Sequence, residues 1–355
     1  MGIYGSDFYN LSRLSALIVD DDTNMRAILR MTLEACGFKE IEVANCAPKA
    51  FEIIKSVQPD LVITDWEMAG GGGIELVRLV RTNPDSPDHF LPIVLLTGYT
   101  HSESVQMARD AGATDFLAKP ISAKRVVDRI IHLIEKPRPF VKSEDFFGPC
   151  RRRRENSDHD GLNNRVAPPE EMPLPALSFE KPSEGDELSF EDEPAPAGLF
   201  RAPNKLKEKL GVKDGPDPGL LIARIEAGIA GLKKTYASWA KADLGALYKA
   251  LDLARQHLDE TGEHVQSMHD VAHSMRAQAS TFGYPLITEI GTSLCDLTER
   301  AGEFGPEEIE ALALHVQAIH SVVERRVEGE GGRDEKEMLA GLRAVAERYA
   351  SAGGN

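Results

Sequence analysis

Several residues far apart in the chain share one kind of position, the end of a short apolar run. Asp20 and Asp21 close Leu17-Ile18-Val19, Asp65 closes Leu61-Val62-Ile63-Thr64, Thr97 closes Ile93–Leu96, and Lys119 follows Phe116-Leu117-Ala118. Carboxylates brought together repel one another unless a cation lies among them, and oxygen-only donors with room for water suit Mg²⁺. A lysine ammonium and a threonine hydroxyl beside them complement a phosphoryl group. A second candidate is His273. Apolar residues at 265, 268, 272, 275, 279 and 282 form one helical stripe, and His273 lies about 100° past Ala272, at the stripe's edge. Arg276 and Ala277 follow it by about one turn, and His269 precedes it by one.

These residues matter together only if the elements between them bring the run ends to one place. Strand candidates are Ala16–Asp20, Ile41–Ala44, Leu61–Thr64, Leu91–Leu96 and Thr114–Ala118, with helical periodicity beginning near Asn24, Pro48, Gly73, Ser102 and Ala123. Strict alternation of strand and helix implies a parallel sheet covered on both faces, and the wholly apolar runs Leu17–Val19 and Leu61–Ile63 suit strands buried on both sides. In a doubly wound sheet the strand C-termini share one edge, where ligands bind. Asp20, Asp21, Asp65, Thr97 and Lys119 therefore converge in a pocket suited to a cation and a phosphoryl group.

From Pro137 to Pro203 the pattern collapses. Residues 168–196 hold seven prolines, nine acidic residues and one basic residue, Lys181, too little apolar surface to offset the entropy of ordering. A flexible chain of about 65 residues spans roughly 40–50 Å. Beyond it, Asp243–Asp259, Glu263–Phe282, Pro285–Ala301, Pro306–Glu328 and Glu335–Ala350 read as helices, punctuated by Gly283-Tyr284-Pro285 and Phe304-Gly305-Pro306. The second domain is expected to be an all-α bundle.

The 355 residues include 41 Lys plus Arg against 57 Asp plus Glu, a net charge of −16. That excludes a chain-wide nucleic-acid or anionic-membrane surface. No apolar run approaches the roughly 18–20 residues of a membrane span, and the start lacks the basic and apolar regions of a secretory signal. Cys36, Cys46, Cys150 and Cys295 are widely spaced, which argues against a disulfide framework or zinc site and for a reducing compartment. The glycine run Gly70–Gly73 is no Walker loop, because no Gly-Lys-Ser/Thr follows.

The segments SALIVDDDTNMRAILR, LVITDWEMAGGGGIEL, LPIVLLTGYT and GATDFLAKP resemble the receiver domain of two-component response regulators, particularly the chemotaxis type. The resemblance covers roughly residues 14–135. It implies a flavodoxin-like (βα)5 fold with strand order 2-1-3-4-5, and an aspartate, Asp65, that takes a phosphoryl group from a histidine kinase. It further implies Mg²⁺ held by Asp20, Asp21, Asp65 and the backbone carbonyl of Glu67, phosphoryl contacts from Thr97 and Lys119, and a switch in which Phe116 moves with Thr97. Ala69 replaces a common proline, and Gly70–Gly73 the usual methionine-aspartate-glycine loop.

The run AHSMRAQASTFGYPLITEIGTSLCDLTE resembles a histidine phosphotransfer (HPt) domain, over about residues 220–328. His273 matches the phosphorylated histidine, Met275 the leucine, Arg276 the lysine and Gly283 the later glycine of that pattern, while Ala277 replaces the glycine one turn on. His257, His264, His269, His315 and His320 lack that context and are expected to be solvated or at the core edge. Arg151–Arg154 reads as a solvated tether, with a nucleic-acid patch or a clamp on the acidic segment as sharper alternatives.

The expected organisation is a receiver domain over 13–138, a disordered acidic linker over 139–203 and a separate HPt-like bundle over 204–352. The expected function is that of a cytoplasmic response regulator in a phosphorelay, catalysing its own phosphotransfer but no separate reaction. Its partners are a histidine kinase and other receiver or HPt proteins, with no membrane insertion and no nucleic acid. The alternative is a response regulator whose helical domain is an unphosphorylated interaction, dimerisation or adaptor output.

Overall fold

The structure, a computed structural model, describes residues 8–68, 72–98, 102–142, 146–150, 199–200, 202–257, 261–299 and 304–352. Ala69, the start of the glycine run, Arg151–Arg154 and the acidic run 168–196 lie outside them. The chain divides into two compact units. One comprises 1–21, 37–118 and 125–218, and the other 22–36, 119–124 and 219–355.

Strands and helices alternate as the periodicities predict: β1 (Ser15–Val19), α1 (Thr23–Cys36), β2 (Glu40–Ala44), α2 (Ala47–Val57), β3 (Leu61–Asp65), α3 (Gly73–Thr82), β4 (Ile93–Thr97), α4 (Ser102–Ala111), β5 (Asp115–Ala118) and α5 (Ala123–Glu135). The strands form one parallel sheet in the order β2-β1-β3-β4-β5, the flavodoxin-like arrangement of a receiver domain. Every residue of β1, β3 and β4 is buried, whereas Glu40 and Glu42 are exposed on the edge strand β2. A single apolar cluster joins Leu17, Val62, Ile93 and Leu95 of the sheet to Phe51 and Ile54 of α2, Leu76, Val77 and Val80 of α3, and Ala108 of α4.

The linker expected over 139–203 is structured at both ends, and this corrects the expected boundary. Two short strands, β6 (Phe140–Lys142) and β7 (Phe147–Pro149), pair antiparallel, and β8 (Leu199–Phe200) adds to the other side of β6. The reason is aromatic. Phe140 and Phe147 meet Phe90 edge to face and lie tilted against each other, with ring centroids 4.9–5.5 Å apart, and the Arg81 guanidinium lies 5.3 Å from the centre of the Phe140 ring. Arg81 is 1% exposed. It donates to the carbonyls of Gly112 (3.0 Å) and His89 (2.9 Å) and to Thr114 Oγ1 (3.2 Å). Burial lowers its pKa to about 9, against an opposing pull from Asp88.

After β8 the chain keeps to this first unit. The short helix α6 (Lys205–Leu210) is capped by Asn204, whose amide also donates to the Ile134 carbonyl. Leu206 and Leu210 are buried. Lys205 pairs with Asp88, Lys209 with Asp60, and Arg13 with Asp214 and the Leu210 carbonyl. The strap ends where Gly215 donates to Phe8 O at 2.7 Å; a Cβ there would collide with the Tyr9 backbone.

In the second unit the bundle consists of α7 (Pro218–Gln256), α8 (Thr261–Ala279), α9 (Pro285–Thr298), α10 (Pro306–Arg325) and α11 (Arg333–Ala352). Helix α7 begins well before the expected Asp243 and runs for 39 residues. Its early apolar residues are interrupted by Gly219, Gly228 and Gly231, which weakens the helical signal. Ion pairs Lys241–Glu324 and Arg255–Glu310 join α7 to α10. The predicted stripe is confirmed, since Val265, Met268, Ala272, Met275, Ala279 and Phe282 are all buried. The turn after α8 needs Gly283, whose φ is +88°.

Glu135 is the hub of the strap. Lys213 (2.7 Å), Lys207 (3.0 Å) and the Tyr9 hydroxyl (3.0 Å) all reach its carboxylate, and the Lys213 contact leads in lowering its pKa to about 2, against a smaller desolvation effect. A carboxylate with a depressed folded pKa contributes stability above its unfolded pKa and loses it as pH falls. Glu135→Gln should therefore cost about 1 kcal/mol near pH 7. The deficit should vanish between about pH 4.5 and about pH 2, as checked by urea unfolding across that range.

Candidate functional site

The ends of β1 and β3 carry the charged part of the site. Asp20 follows β1 directly and Asp65 is the last residue of β3; they are 1% and 4% exposed. Asp21 is exposed beside them. One carboxylate oxygen from each of Asp20, Asp21 and Asp65 lies within 4.8 Å of the others. The sheet places them so because β1 and β3 are adjacent and in register, with Val19 opposite Thr64. Two buried carboxylates and one open to water make an oxygen-only donor set, and that set fits a hard divalent cation such as Mg²⁺.

Thr97 ends β4 and is 2% exposed. Its strand is locked to β3 at this level, since Asp65 pairs with Leu96 and the Trp66 N–H donates to the Leu96 carbonyl at 3.0 Å. Thr97 in turn pairs with Ala118 of β5, and Lys119 is the next residue, half-buried. Glu67 lies in the turn after β3, partly exposed. Phe116 on β5 packs partly against the apolar cluster, with the Arg129 guanidinium 5.8 Å from its ring centre. Asp20, Asp21 and Asp65 are thus brought together, and Thr97 occupies the same sheet edge.

The backbone behind Asp65 leaves no room for a side chain. A Cβ at Gly73, the first residue of α3, would collide with the Asp65 carbonyl and come within 2.8 Å of Leu95 Cδ2. A Cβ at Gly72 would lie 2.7 Å from the Trp66 carbonyl. The glycine run that replaces the usual loop therefore has a packing role at its end.

On the bundle, His273 is half-exposed on α8, as its place at the stripe edge predicts. Arg276 is only 9% exposed. Its burial follows from Gly291 of α9, where a Cβ would lie 3.0 Å from Arg276 Cβ and 3.4 Å from the Ala272 carbonyl. Close approach of α9 thus covers the Arg276 stem. His269 lies at the core edge as expected, whereas His315 departs from that expectation. His315 is fully buried; its Nδ1 donates to the Ala311 carbonyl at 2.8 Å, its Nε2 lies 2.9 Å from Ser293 Oγ, and burial lowers its pKa. His269 stacks on His273, with ring centroids 6.2 Å apart and planes at 22°. Four-residue spacing on a helix was the signal for that contact.

Among the described residues no helix is long and apolar enough to cross a membrane. The four cysteines form no disulfide. The family model of the response regulator receiver domain matches residues 16–131. The phosphate regulon transcriptional regulatory protein PhoB of Pseudomonas aeruginosa is 31% identical over 123 residues, covering 35% of this chain and 52% of that protein. The chemotaxis protein CheY-3 of Vibrio cholerae is 30% identical over 123 residues, 35% of this chain and 93% of that one. A structure of the chemotaxis response regulator CheY4 of Vibrio cholerae, 29% identical, covers 34% of this chain and 98% of its own, with a TM-score of 0.32. The chain spans about half the length of the PhoB regulators it matches.

Gly73→Ala should displace the end of β3 and destabilise the first unit by about 2 kcal/mol or more, the usual cost of a core overlap. The check is thermal unfolding paired with the rate of acetyl phosphate labelling, and both should fall.

Proposed function

The chain belongs to the response regulator receiver-domain family of two-component signalling, and on that premise we propose that Asp65 takes a phosphoryl group from a histidine kinase within a phosphorelay that also uses His273. The grouping of Asp20, Asp21 and Asp65 within 4.8 Å carries this reading. An Asp65 oxygen attacks phosphorus of a phosphohistidine on the kinase. The new P–O bond forms as the P–N bond breaks, and the imidazole leaves with the electron pair. Mg²⁺ held by Asp20, Asp21, Asp65 and the Glu67 carbonyl would supply positive charge against the phosphoryl oxygens. Thr97 donates its hydroxyl to one phosphoryl oxygen and Lys119 pairs with another, so the product's charge is met by fixed donors. Movement of Thr97 toward the phosphoryl group opens space for Phe116, a two-state packing change.

In this reading the chain is a phosphoacceptor with no separate enzymatic reaction, and it works in the cytoplasm, which the absence of disulfides supports. His273, half-exposed on a helix whose other face is buried, can meet a receiver pocket. A second reading, an unphosphorylated interaction or adaptor output for the bundle, is favoured by the burial of Arg276. Under it, no acid-labile, base-stable phosphate forms on His273.

Acetyl phosphate with Mg²⁺ should label the full chain once, with base-labile phosphate. Asp65→Ala or chelation of the metal should reduce that labelling at least a hundredfold, and Asp20→Ala at least tenfold. Full labelling of Asp65→Ala would overturn the assignment. Beryllofluoride with Mg²⁺ should shift NMR resonances of Phe116 and its neighbours as well as those around Asp65; shifts confined to the pocket would remove the switch from the reading.

A further inference from the structure

Helix α5 makes two attachments of different kinds. Midway along it, Arg129 pairs with Asp115 of β5 and stands 5.8 Å from the centre of the Phe116 ring. Its last residues hold the strap. The Ile134 carbonyl accepts from the Asn204 amide at 2.9 Å, and the Glu135 carboxylate takes Lys207 at 3.0 Å and Lys213 at 2.7 Å. From Arg129 to Glu135 the helix axis rises about 9 Å. Val126, Val127, Ile130, Leu133 and Ile134 along this stretch are all buried. A helix close-packed along its inner face shifts or turns as a rod, because bending it would open voids.

Neither attachment is saturated. Arg129 Nη1 donates to Asp115, but its Nε is buried without a hydrogen-bond partner among the described residues. A buried donor left unmet is costly, so this guanidinium gains by re-aiming when its surroundings change. At the other end the lysines stand half in water, with side chains 49% exposed at Lys207 and 48% at Lys213. Each such pair is weak alone. All of them converge on one carboxylate, so a small displacement of Glu135 disturbs them together. The Glu208, Gly211 and Gly215 amides donate to Asn204 O, Lys207 O and Phe8 O at 2.7–3.0 Å, and they register whether the strap is closed.

We propose that α5 couples the switch to the strap, so that the strap opens when the Phe116 ring turns into the space vacated by Thr97. The inference rests on the reading of Phe116 as a ring that moves with Thr97, and it adds an output which that reading lacks. With the ring outward, Arg129 lies between Asp115 and the ring face and pins α5 where Ile134 and Glu135 meet Asn204, Lys207 and Lys213. Once the ring turns inward, Arg129 loses that face and re-aims, and α5 shifts with it. Hydrogen bonds weaken steeply with distance and angle, so the contacts at the far end of the rod loosen. The element that both ends bias is one helix with two positions, which is the physical content of such a coupling. Coupling is reciprocal. The factor by which the inward ring opens the strap is also the factor by which an open strap favours the inward ring.

The test uses the full chain, with beryllofluoride and Mg²⁺ standing in for the phosphoryl group. Hydrogen exchange at the Glu208, Gly211 and Gly215 amides reads the strap, and NMR resonances of Phe116 read the switch. Expected is about fivefold faster exchange at those three amides when the analogue is added, with the amides of β2 unchanged. Phe116→Leu removes the ring face, so its strap should exchange fast from the start and respond no further. Leu210→Asp places a charge at a buried strap position and should hold the strap open, raising beryllofluoride affinity by the same factor of about five. Lys207→Gln with Lys213→Gln alters two exposed positions and should speed the three amides without the analogue; no change there would overturn the role of Glu135 as the clasp and the proposal with it. Unchanged or slower exchange while the Phe116 resonances shift would overturn the coupling alone. So would an open strap in Leu210→Asp with unaltered affinity, or a speeding shared equally by β2, which is general loosening. No shift at Phe116 would overturn the switch reading and the coupling together.

Discussion

Repulsion among three carboxylates is the constraint around which the first unit is arranged. Asp20, Asp21 and Asp65 present oxygens within 4.8 Å of one another, and each charged pair at that distance opposes folding by about 3–4 kcal/mol at an effective dielectric near 20. Nothing local in either strand end would choose this. The sheet imposes it, because β1 and β3 are hydrogen-bonded neighbours with every residue buried. The apolar burial of those strands outweighs the repulsion, which a cation lodged among the three carboxylates would relieve. Stability is given up where function needs charge, and the fold supplies it from the cluster of Leu17, Val62, Ile93, Phe51 and Leu76.

That coupling explains which parts were legible in the sequence. Run ends at Asp20, Asp65, Thr97 and Lys119 could be found because a doubly wound sheet converts the end of an apolar run into a place in space. The His273 edge position was legible for the same kind of reason, a 3.6-residue period that defines a face. Contacts that depend on partners far along the chain left no periodic trace. Leu199–Phe200 pairs with Phe140–Val141 across a segment of acidic and proline residues, and two residues are too few to show alternation. The Gly73 constraint was also invisible, since a glycine next to three others reads as flexibility until the Asp65 carbonyl is seen behind it.

The strap changes what the acidic segment can do. Residues 151–198 connect β7 to β8, two strands of the same small sheet. A free coil of about 65 residues between domains would set a broad, weak local concentration. Return of the chain to Phe140, Glu135 and Phe8 removes that freedom. The number of residues between β7 and β8 affects chiefly the entropy of bringing those two strands together, which grows only slowly with chain length.

Phe116, the residue of the proposed switch, is also restrained by a cation. Arg129 forms an ion pair with Asp115, whose side chain is 1% exposed, and its guanidinium stands over the Phe116 ring at 5.8 Å. A buried carboxylate thus holds the cation, and the cation holds the ring. At a partly exposed site such a contact contributes about 0.5–1 kcal/mol, a factor of roughly two to five in the balance between two ring positions. Driving a two-state element from one extreme to the other takes about 5.5 kcal/mol. The Arg129 contact therefore biases Phe116 without locking it. In the proposed switch, charge placed on Asp65 and acting through Thr97 at the next strand end would have to outweigh only that small bias and the packing of the ring against the apolar cluster.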